Sequence, residues 1–189
     1  MIITEETKLK KLCEEVKTVK EGEEIGAQLL KELTESENGI GLAANQIGIN
    51  KRVCVVNVKE PVVLINPEII ETSDEMFTFQ EGCLSFPGDG VTTIRHSWIK
   101  VKAEGHAEEL LFSAEGSDQN DMKNAYECAC VQHELDHLDG ITMFDRKYRK
   151  PPIKRGVNAP IKIGRNEKVQ IKKGDEIKTI KWKKAESFM

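Results

Sequence analysis

The sequence predicts an α+β fold in which antiparallel strands pack around one central helix. Short β-rich segments separated by turn residues fill the middle of the chain, and a long segment without Gly or Pro follows them at residues 120–138. The 189 residues are enough for one hydrophobic core but few for two full-sized domains. We therefore predict one principal domain at residues 1–147 and an extension at residues 148–189.

The first helix is predicted at residues 22–37, where apolar residues recur at helical spacing before a turn signal. These residues are Ile25, Leu29, Leu30 and Leu33, and the turn signal is Asn38-Gly39. Residues 39–48 change in character because they contain three glycines and two alanines. This composition suits close backbone approach, so we predict here a loop that belongs to a site and not a packed regular element.

A β-rich region follows, in which turn residues such as Pro61, Asn66-Pro67 and Gly105 separate short apolar runs. The predicted strands are residues 53–58, 62–65, 68–71, 76–79, 91–94 and 99–103, with a further strand at 110–112. Turns that follow one another so closely are typical of antiparallel strands.

The central helix is predicted at residues 120–138. One face of it carries Met122, Tyr126, Ala129, His133 and His137. Asn120 or Asp121 can cap the start of this helix, and Gly140 can adopt the left-handed conformation after its end.

The C-terminal segment differs from the rest of the chain in charge. Residues 146–189 contain 15 Lys and Arg against 4 Asp and Glu, a net charge of +11, whereas residues 1–145 carry −15. After an irregular, proline-containing linker, residues 169–171 and 177–182 predict an exposed β-hairpin. The charge asymmetry indicates a basic arm for an acidic or nucleic-acid partner, with a solvated surface as the alternative.

The composition also bears on the compartment. Five cysteines, an odd number without the density of a disulfide scaffold, indicate reduced thiols. No apolar run approaches the roughly 20 residues that span a bilayer. The acidic N-terminal residues do not continue as a secretory signal. We therefore expect a cytoplasmic protein without a membrane partner.

The strongest chemical signal is the run HELDH at residues 133–137. His133 and His137 lie one helical turn apart, so both imidazoles can reach one cation, with Glu134 beside it. Cys83, between strand-like segments, can add a thiolate. Three protein ligands leave a fourth position open, which is typical of a catalytic site, and these donors suit zinc or ferrous iron better than magnesium or calcium. The alternative is that the histidines are ordinary residues of a charged helix.

Three motifs together resemble the peptide deformylase family: GIGLAANQ at residues 39–46, EGCLS at 81–85 and QHELDH at 132–137. They occur in the family's order, and the resemblance covers about residues 25–147. It implies a metal-dependent hydrolase that removes the N-formyl group from the formylmethionine of nascent polypeptides and releases formate. The alternatives are a metallopeptidase that cuts internal bonds and a non-catalytic, metal-containing homologue that binds peptides.

The resemblance implies roles for individual residues. Cys83, His133 and His137 would hold one divalent metal, ferrous iron by preference, with zinc, nickel or cobalt able to replace it. Glu134 would be the general base, while the side-chain amide of Gln46 and the backbone N–H of Leu84 would stabilise the oxyanion. Residues that would line the methionine pocket, each of which could also be plain core, are Ile40, Phe79, Leu84, Tyr126, Ala129 and Cys130. Gly41 would pair with the backbone of the extended substrate.

Further expectations concern the surroundings of this site. We expect Asp136 to orient a metal ligand through a hydrogen bond, and Cys54 and Cys128 to be small buried hydrophobic residues. The long C-terminal helix of many bacterial members is replaced here by Pro151-Pro152 and the basic tail, as in a divergent or virus-encoded member. The tail could contact ribosomal RNA through its Lys and Arg side chains. We expect a monomer.

Overall fold

The computed structural model describes residues 1–115, 121–149, 168–173 and 176–181. The chain divides into two compact units, Met1–Arg149 and Lys150–Met189. The first unit combines antiparallel strands with helices, so the predicted α+β class is confirmed. None of the described helices has the length and hydropathy needed to span a bilayer.

Three α-helices are described: α1 (Glu6–Leu9), α2 (Val19–Glu35) and α3 (Asp121–Leu138). Helix α2 begins three residues before its predicted start because Thr18 caps it. The side-chain oxygen of Thr18 accepts a hydrogen bond of 3.2 Å from the Glu21 N–H, and the Glu21 carboxylate accepts one of 3.0 Å from the Lys17 N–H. The first contact satisfies a backbone donor that the first helical turn leaves unpaired, and the second joins that turn to the residue before the cap.

The strands of the first unit are β1 (Gly41–Ala43), β2 (Val53–Asn57), β3 (Pro61–Thr72), β4 (Met76–Gly82), β5 (Gly90–His96), β6 (Trp98–Glu104) and β7 (Leu110–Ser113). Five of them form an antiparallel sheet in the order β1-β2-β3-β6-β7, and β4 and β5 form a separate hairpin. Helix α3 lies against β1, β2 and β7, while α2 packs on β1, β2 and β3. The main core therefore lies between α3 and the sheet, where Cys54, Ile99, Val131 and Leu138 are fully buried.

One predicted turn is wrong. Residues 62–65 and 68–71 belong to the single strand β3, which runs through Asn66-Pro67. Asn66 adopts a φ of 46° and shifts the register with β6, and its side chain bonds both backbone polar groups of Val16, at 2.9 and 3.0 Å. Asparagine tolerates this left-handed conformation, so the strand bulges at this point and continues.

The loop predicted at residues 39–48 is also wrong. This stretch contains β1 and a 3-10 helix, Ala44–Ile47, and most of it is buried. Pairing with β2 and packing against α3 order the segment, and its small alanine side chains fit the narrow space. The Gln46 side-chain oxygen accepts a 2.8 Å hydrogen bond from the Ala43 N–H, which closes the turn.

The end of α3 agrees with the prediction. Gly140 follows the helix with a φ of 70°, and its N–H donates to the His137 carbonyl at 3.1 Å. The predicted cap Asn120 lies outside the described residues. In the second unit, β8 (Lys168–Lys173) and β9 (Glu176–Lys181) pair as antiparallel strands, and Trp182 lies outside the described residues. The domain boundary at residues 147 and 148 stays a prediction.

Candidate metal centre

Three candidate metal ligands converge in the first unit. Cys83 lies in the loop after β4, and His133 and His137 lie one turn apart on α3. Their donor atoms all lie within 4.8 Å of one another, and the Cys83 Sγ is 3.3 Å from the His137 Nε2. A cation between them could reach all three at bond lengths of about 2.0–2.3 Å after small shifts. The cluster therefore fits a divalent metal with sulfur and nitrogen preference.

Cys83 is brought to the helix by the hairpin of β4 and β5. The register sets Gly82 opposite Gly90, so the connecting loop begins at Cys83. A turn then follows, in which the Phe86 N–H donates to the Cys83 carbonyl at 2.9 Å. The Cys83 thiol is half-buried and faces α3, so the motif at residues 81–85 meets the motif at residues 132–137.

Glu81 orients the first histidine. Its Oε2 lies 3.0 Å from the His133 Nδ1, which leaves the Nε2 of that ring for a metal. Arg95 donates to both carboxylate oxygens of Glu81, at 2.6 and 2.8 Å, and Thr93 donates at 2.6 Å. Burial opposes ionisation of Glu81, but the hydrogen bonds from Arg95 and His133 outweigh it and hold its pKa at about 2. Glu81 is thus an ionised acceptor that fixes the ring.

Asp136 does not have the expected role. Its carboxylate accepts hydrogen bonds from Arg95 and from Arg146, whose Nη2 is 2.7 Å from the Asp136 Oδ1, and no histidine of the described residues bonds to it. Along the helix, Asp136 is offset by about 60° from His133 and by about 100° from His137, so its side chain reaches the arginines instead. The sequence motifs did not predict the role of Glu81, and the only local signal for it was its place in the run EGCLS that carries Cys83.

Glu134 lies against the backbone of β1. A Cβ atom built on Gly41 would lie 2.5 Å from the Glu134 Oε1 and 2.5 Å from the Cys130 Sγ, so only glycine leaves room there. The Glu134 Oε2 is buried and has no hydrogen-bond partner among the described residues. Burial raises the pKa of Glu134 to about 7, and a cation held nearby would favour its ionised form. A carboxyl group in this state can accept and return a proton near neutral pH.

Gln46 and Leu84 are the predicted oxyanion donors. Because the Gln46 Oε1 accepts from the Ala43 backbone N–H, the amide nitrogen must point the other way, where it lies 3.1 Å from the Ser85 Oγ and 3.4 Å from the Cys83 Sγ. Leu84 lies next to the thiol in the same turn, and its backbone N–H makes no hydrogen bond among the described residues. Two N–H donors thus flank Cys83.

The centre opens into a cavity of about 510 Å³. The predicted residues that line it, besides Cys83, His133 and Glu134, are Ile40, Gly41, Gln46, Phe79, Leu84, Tyr126, Ala129 and Cys130. The rings of Phe79 and Tyr126 meet edge to face with centroids 5.0 Å apart. His137 is buried behind the other ligands. The wall also contains three polar residues that the sequence motifs do not predict, Asn38, Gln80 and Asp89.

The other cysteines are buried thiols. Burial raises the pKa of Cys13 and of Cys128 to about 11, and it raises the pKa of Cys54 and of Cys130 well above the usual value. Thiols in this state are poor nucleophiles and poor ligands. The prediction that Cys54 and Cys128 are small buried hydrophobic residues is therefore confirmed.

Comparison with known proteins gives a consistent result. The family model for Polypeptide deformylase matches residues 1–152. The chain is 46% identical over 127 residues to the peptide deformylase of Natranaerobius thermophilus, across 66% of this chain and 75% of that protein. It is 39% identical over 138 residues to that of Prochlorococcus marinus strain MIT 9312, across 68% of this chain and 64% of that protein, less than two thirds of its length. The crystal structure of the peptide deformylase from Thermotoga maritima superposes with a TM-score of 0.67 at 33% identity, covering 79% of this chain and 97% of that one.

Proposed function

Because the chain belongs to the peptide deformylase family, we propose that it removes the formyl group from the N-terminal formylmethionine of newly made polypeptides and releases formate. The observation that carries the proposal is the convergence of Cys83, His133 and His137 beside the Glu134 carboxylate on one cavity. A metal with a purely structural role needs neither a buried base nor N–H donors beside it. We assign this activity to residues 1–147.

The family is metal-dependent, and we assign the metal to the three converging donors. When bound there, a divalent cation supplies a Lewis acid and lowers the pKa of a water molecule. The thiolate and the two imidazoles support ferrous iron, with zinc, nickel or cobalt as replacements, since harder cations prefer oxygen ligands. The hydrogen bond that His133 Nδ1 donates to Glu81 supports this assignment because it fixes which ring nitrogen faces the cation.

Glu134 moves the protons of the reaction. It accepts a proton from the attacking water as the new C–O bond to the formyl carbon forms. The Gln46 amide and the Leu84 N–H donate hydrogen bonds to the oxygen that gains negative charge. Glu134 then gives the proton to the amine nitrogen as the C–N bond breaks, which leaves formate and a free methionine amine.

The cavity suits the rest of the substrate. The apolar wall of Phe79, Tyr126, Ala129 and Cys130 provides a slot for an unbranched methionine side chain. Strand β1 stands at one end of the sheet order, so in the described strands its outer edge is unpaired, and Gly41 of β1 lines the cavity. An extended peptide backbone can add to this edge as a further strand.

The test is formate release from formyl-Met-Ala-Ser by protein loaded anaerobically with ferrous iron. Glu134→Gln keeps the shape of the side chain and removes the base, so we expect formate release to fall by about 100-fold or more. A chelated sample is the second control, and product masses detect internal cleavage, the mark of a metallopeptidase. Fully metallated wild-type protein that releases no formate would contradict the proposal.

The tail, the location and the oligomeric state stay predictions. Contact with ribosomal RNA through residues 148–189 rests on their Lys and Arg content. If this contact forms, the protein associates with ribosomes, and the association weakens as salt is raised. It also weakens when basic residues of the tail are replaced by neutral ones. Size-exclusion chromatography with light scattering tests the expected monomer, and cell fractionation tests the cytoplasmic location.

A further inference from the structure

We infer that Asp89 selects substrates by charge, so that the enzyme prefers polypeptides with a basic residue within the two positions after formylmethionine. The inference rests on the proposed deformylase function and adds a feature of the substrate that lies beyond methionine. It follows from the charges on the cavity wall and from the position of Asp89 in the loop that also carries Cys83.

Among the described residues, the wall of the cavity holds one carboxylate that nothing else in the site engages. Glu81 is paired with the buried Arg95, and Glu134 has its place beside the metal ligands. Asp89 makes no ion pair among the described residues, and the residues that line the cavity include neither Lys nor Arg. The negative charge of Asp89 therefore acts on a bound substrate, and no Lys or Arg of the described wall neutralises it.

Asp89 also lies where the substrate chain can pass. The loop after β4 carries Cys83 at its start and Asp89 at its end, and the Asp89 N–H donates to the Phe86 carbonyl at 3.1 Å. Pro87, Gly88 and Asp89 form an exposed part of the wall. Gly88 and Gly90, on either side of Asp89, have no side chains that could screen the Asp89 carboxylate from a bound peptide.

In the proposed reaction, the residues after formylmethionine leave the cavity past its exposed wall, which includes this loop. The formyl group must lie at the ligand cluster and the methionine side chain on the apolar wall, so the remaining chain leaves towards solvent. A Lys or Arg side chain in the first two positions can then approach Asp89, while Asp or Glu is repelled. Both effects act at an exposed site and are screened by salt.

The experiment compares kcat/KM for formyl-Met-Lys-Ala, formyl-Met-Glu-Ala and the corresponding pair formyl-Met-Ala-Lys and formyl-Met-Ala-Glu, using the full metallated chain. For at least one pair we expect the Lys peptide to be favoured about fourfold at low salt, since attraction and repulsion at an exposed site are each worth about twofold. Asp89→Asn should bring this ratio close to one, and Asp89→Lys should invert it. High salt should reduce the wild-type ratio.

Asp74→Asn is the matched control, because Asp74 is an exposed aspartate between β3 and β4 that does not line the cavity. It changes the net charge by the same amount and should keep the wild-type ratio. A wild-type ratio near one for both pairs, or a ratio that Asp89→Asn leaves intact, would overturn the inference while formyl-Met-Ala-Ser is still hydrolysed. If no formyl peptide reacts, the proposed function itself fails.

Discussion

The contact between Gly41 and Glu134 makes a sharp prediction for Gly41→Ala. The added Cβ would lie 2.5 Å from the Glu134 Oε1, which is 0.9 Å short of the 3.4 Å at which ordinary contacts begin. It would also lie 2.5 Å from the Cys130 Sγ, so the carboxylate cannot simply turn towards the sulfur. The Glu134 side chain must therefore move by about 1 Å, together with the backbone of β1 or of α3.

A displacement of this size affects catalysis more than folding. Misplacing a catalytic group by about 1 Å costs about 100-fold in rate, whereas one extra methyl group in a packed site costs about 1–3 kcal/mol of stability. We expect kcat for formate release to fall about 100-fold while bound metal per chain stays at the wild-type level. Metal content, kcat and thermal unfolding of the same preparations provide the measurement.

Gly82→Ala is the matched control for this prediction. Gly82 lines the same cavity, but a Cβ atom there would meet its nearest neighbour, the Asp89 carbonyl oxygen, at 3.9 Å. We expect its kcat to stay within about twofold of wild type, as for substitutions that create no clash. Equal kcat values for Gly41→Ala and wild type would refute the argument that Glu134 is held against β1.

Three further substitutions test the supports of the site and fold. Glu81→Gln removes the charge that holds His133, so metal affinity measured by chelator competition should fall about 10–100-fold; unchanged affinity would contradict the orienting role. Thr18→Ala removes the cap of α2 and should lower the free energy of unfolding in urea by about 1 kcal/mol, whereas Thr18→Ser should preserve it. Asn66→Ala loses three side-chain hydrogen bonds, two to the Val16 backbone and an exposed one to Glu104, and places alanine at positive φ. This should cost about 3 kcal/mol by the same assay; Asn66→Gly should recover about 1 kcal/mol, and equal losses would argue against backbone strain.

The sequence was most informative where a function depends on local spacing. Two histidines one turn apart predict a shared ligand face as soon as the segment is helical, and α3 spans both of them. The strands were also recognisable, because alternating burial in β5 and β6 follows from the strand period. Such features need no knowledge of distant partners.

The errors arose where a distant residue decides the local conformation. Asn66-Pro67 has the composition of a turn, but Val16, fifty residues earlier, binds the Asn66 side chain and keeps the strand continuous. Residues 39–48 resemble a loop until β2 pairs with them. The ion pairs of Arg95 with Glu81 and Asp136 join a hairpin to a helix, and no spacing rule predicts which arginine a buried carboxylate will find.

The most direct test of the account measures bound metal and formate release in the same samples of three proteins. The wild type should hold about one metal per chain and release formate. Cys83→Ser should lose metal and activity together, because it replaces the thiolate donor. Glu134→Gln should keep its metal and lose activity, because only proton transfer is removed. A Glu134→Gln protein with wild-type formate release, or a Cys83→Ser protein with wild-type metal affinity, would contradict the account.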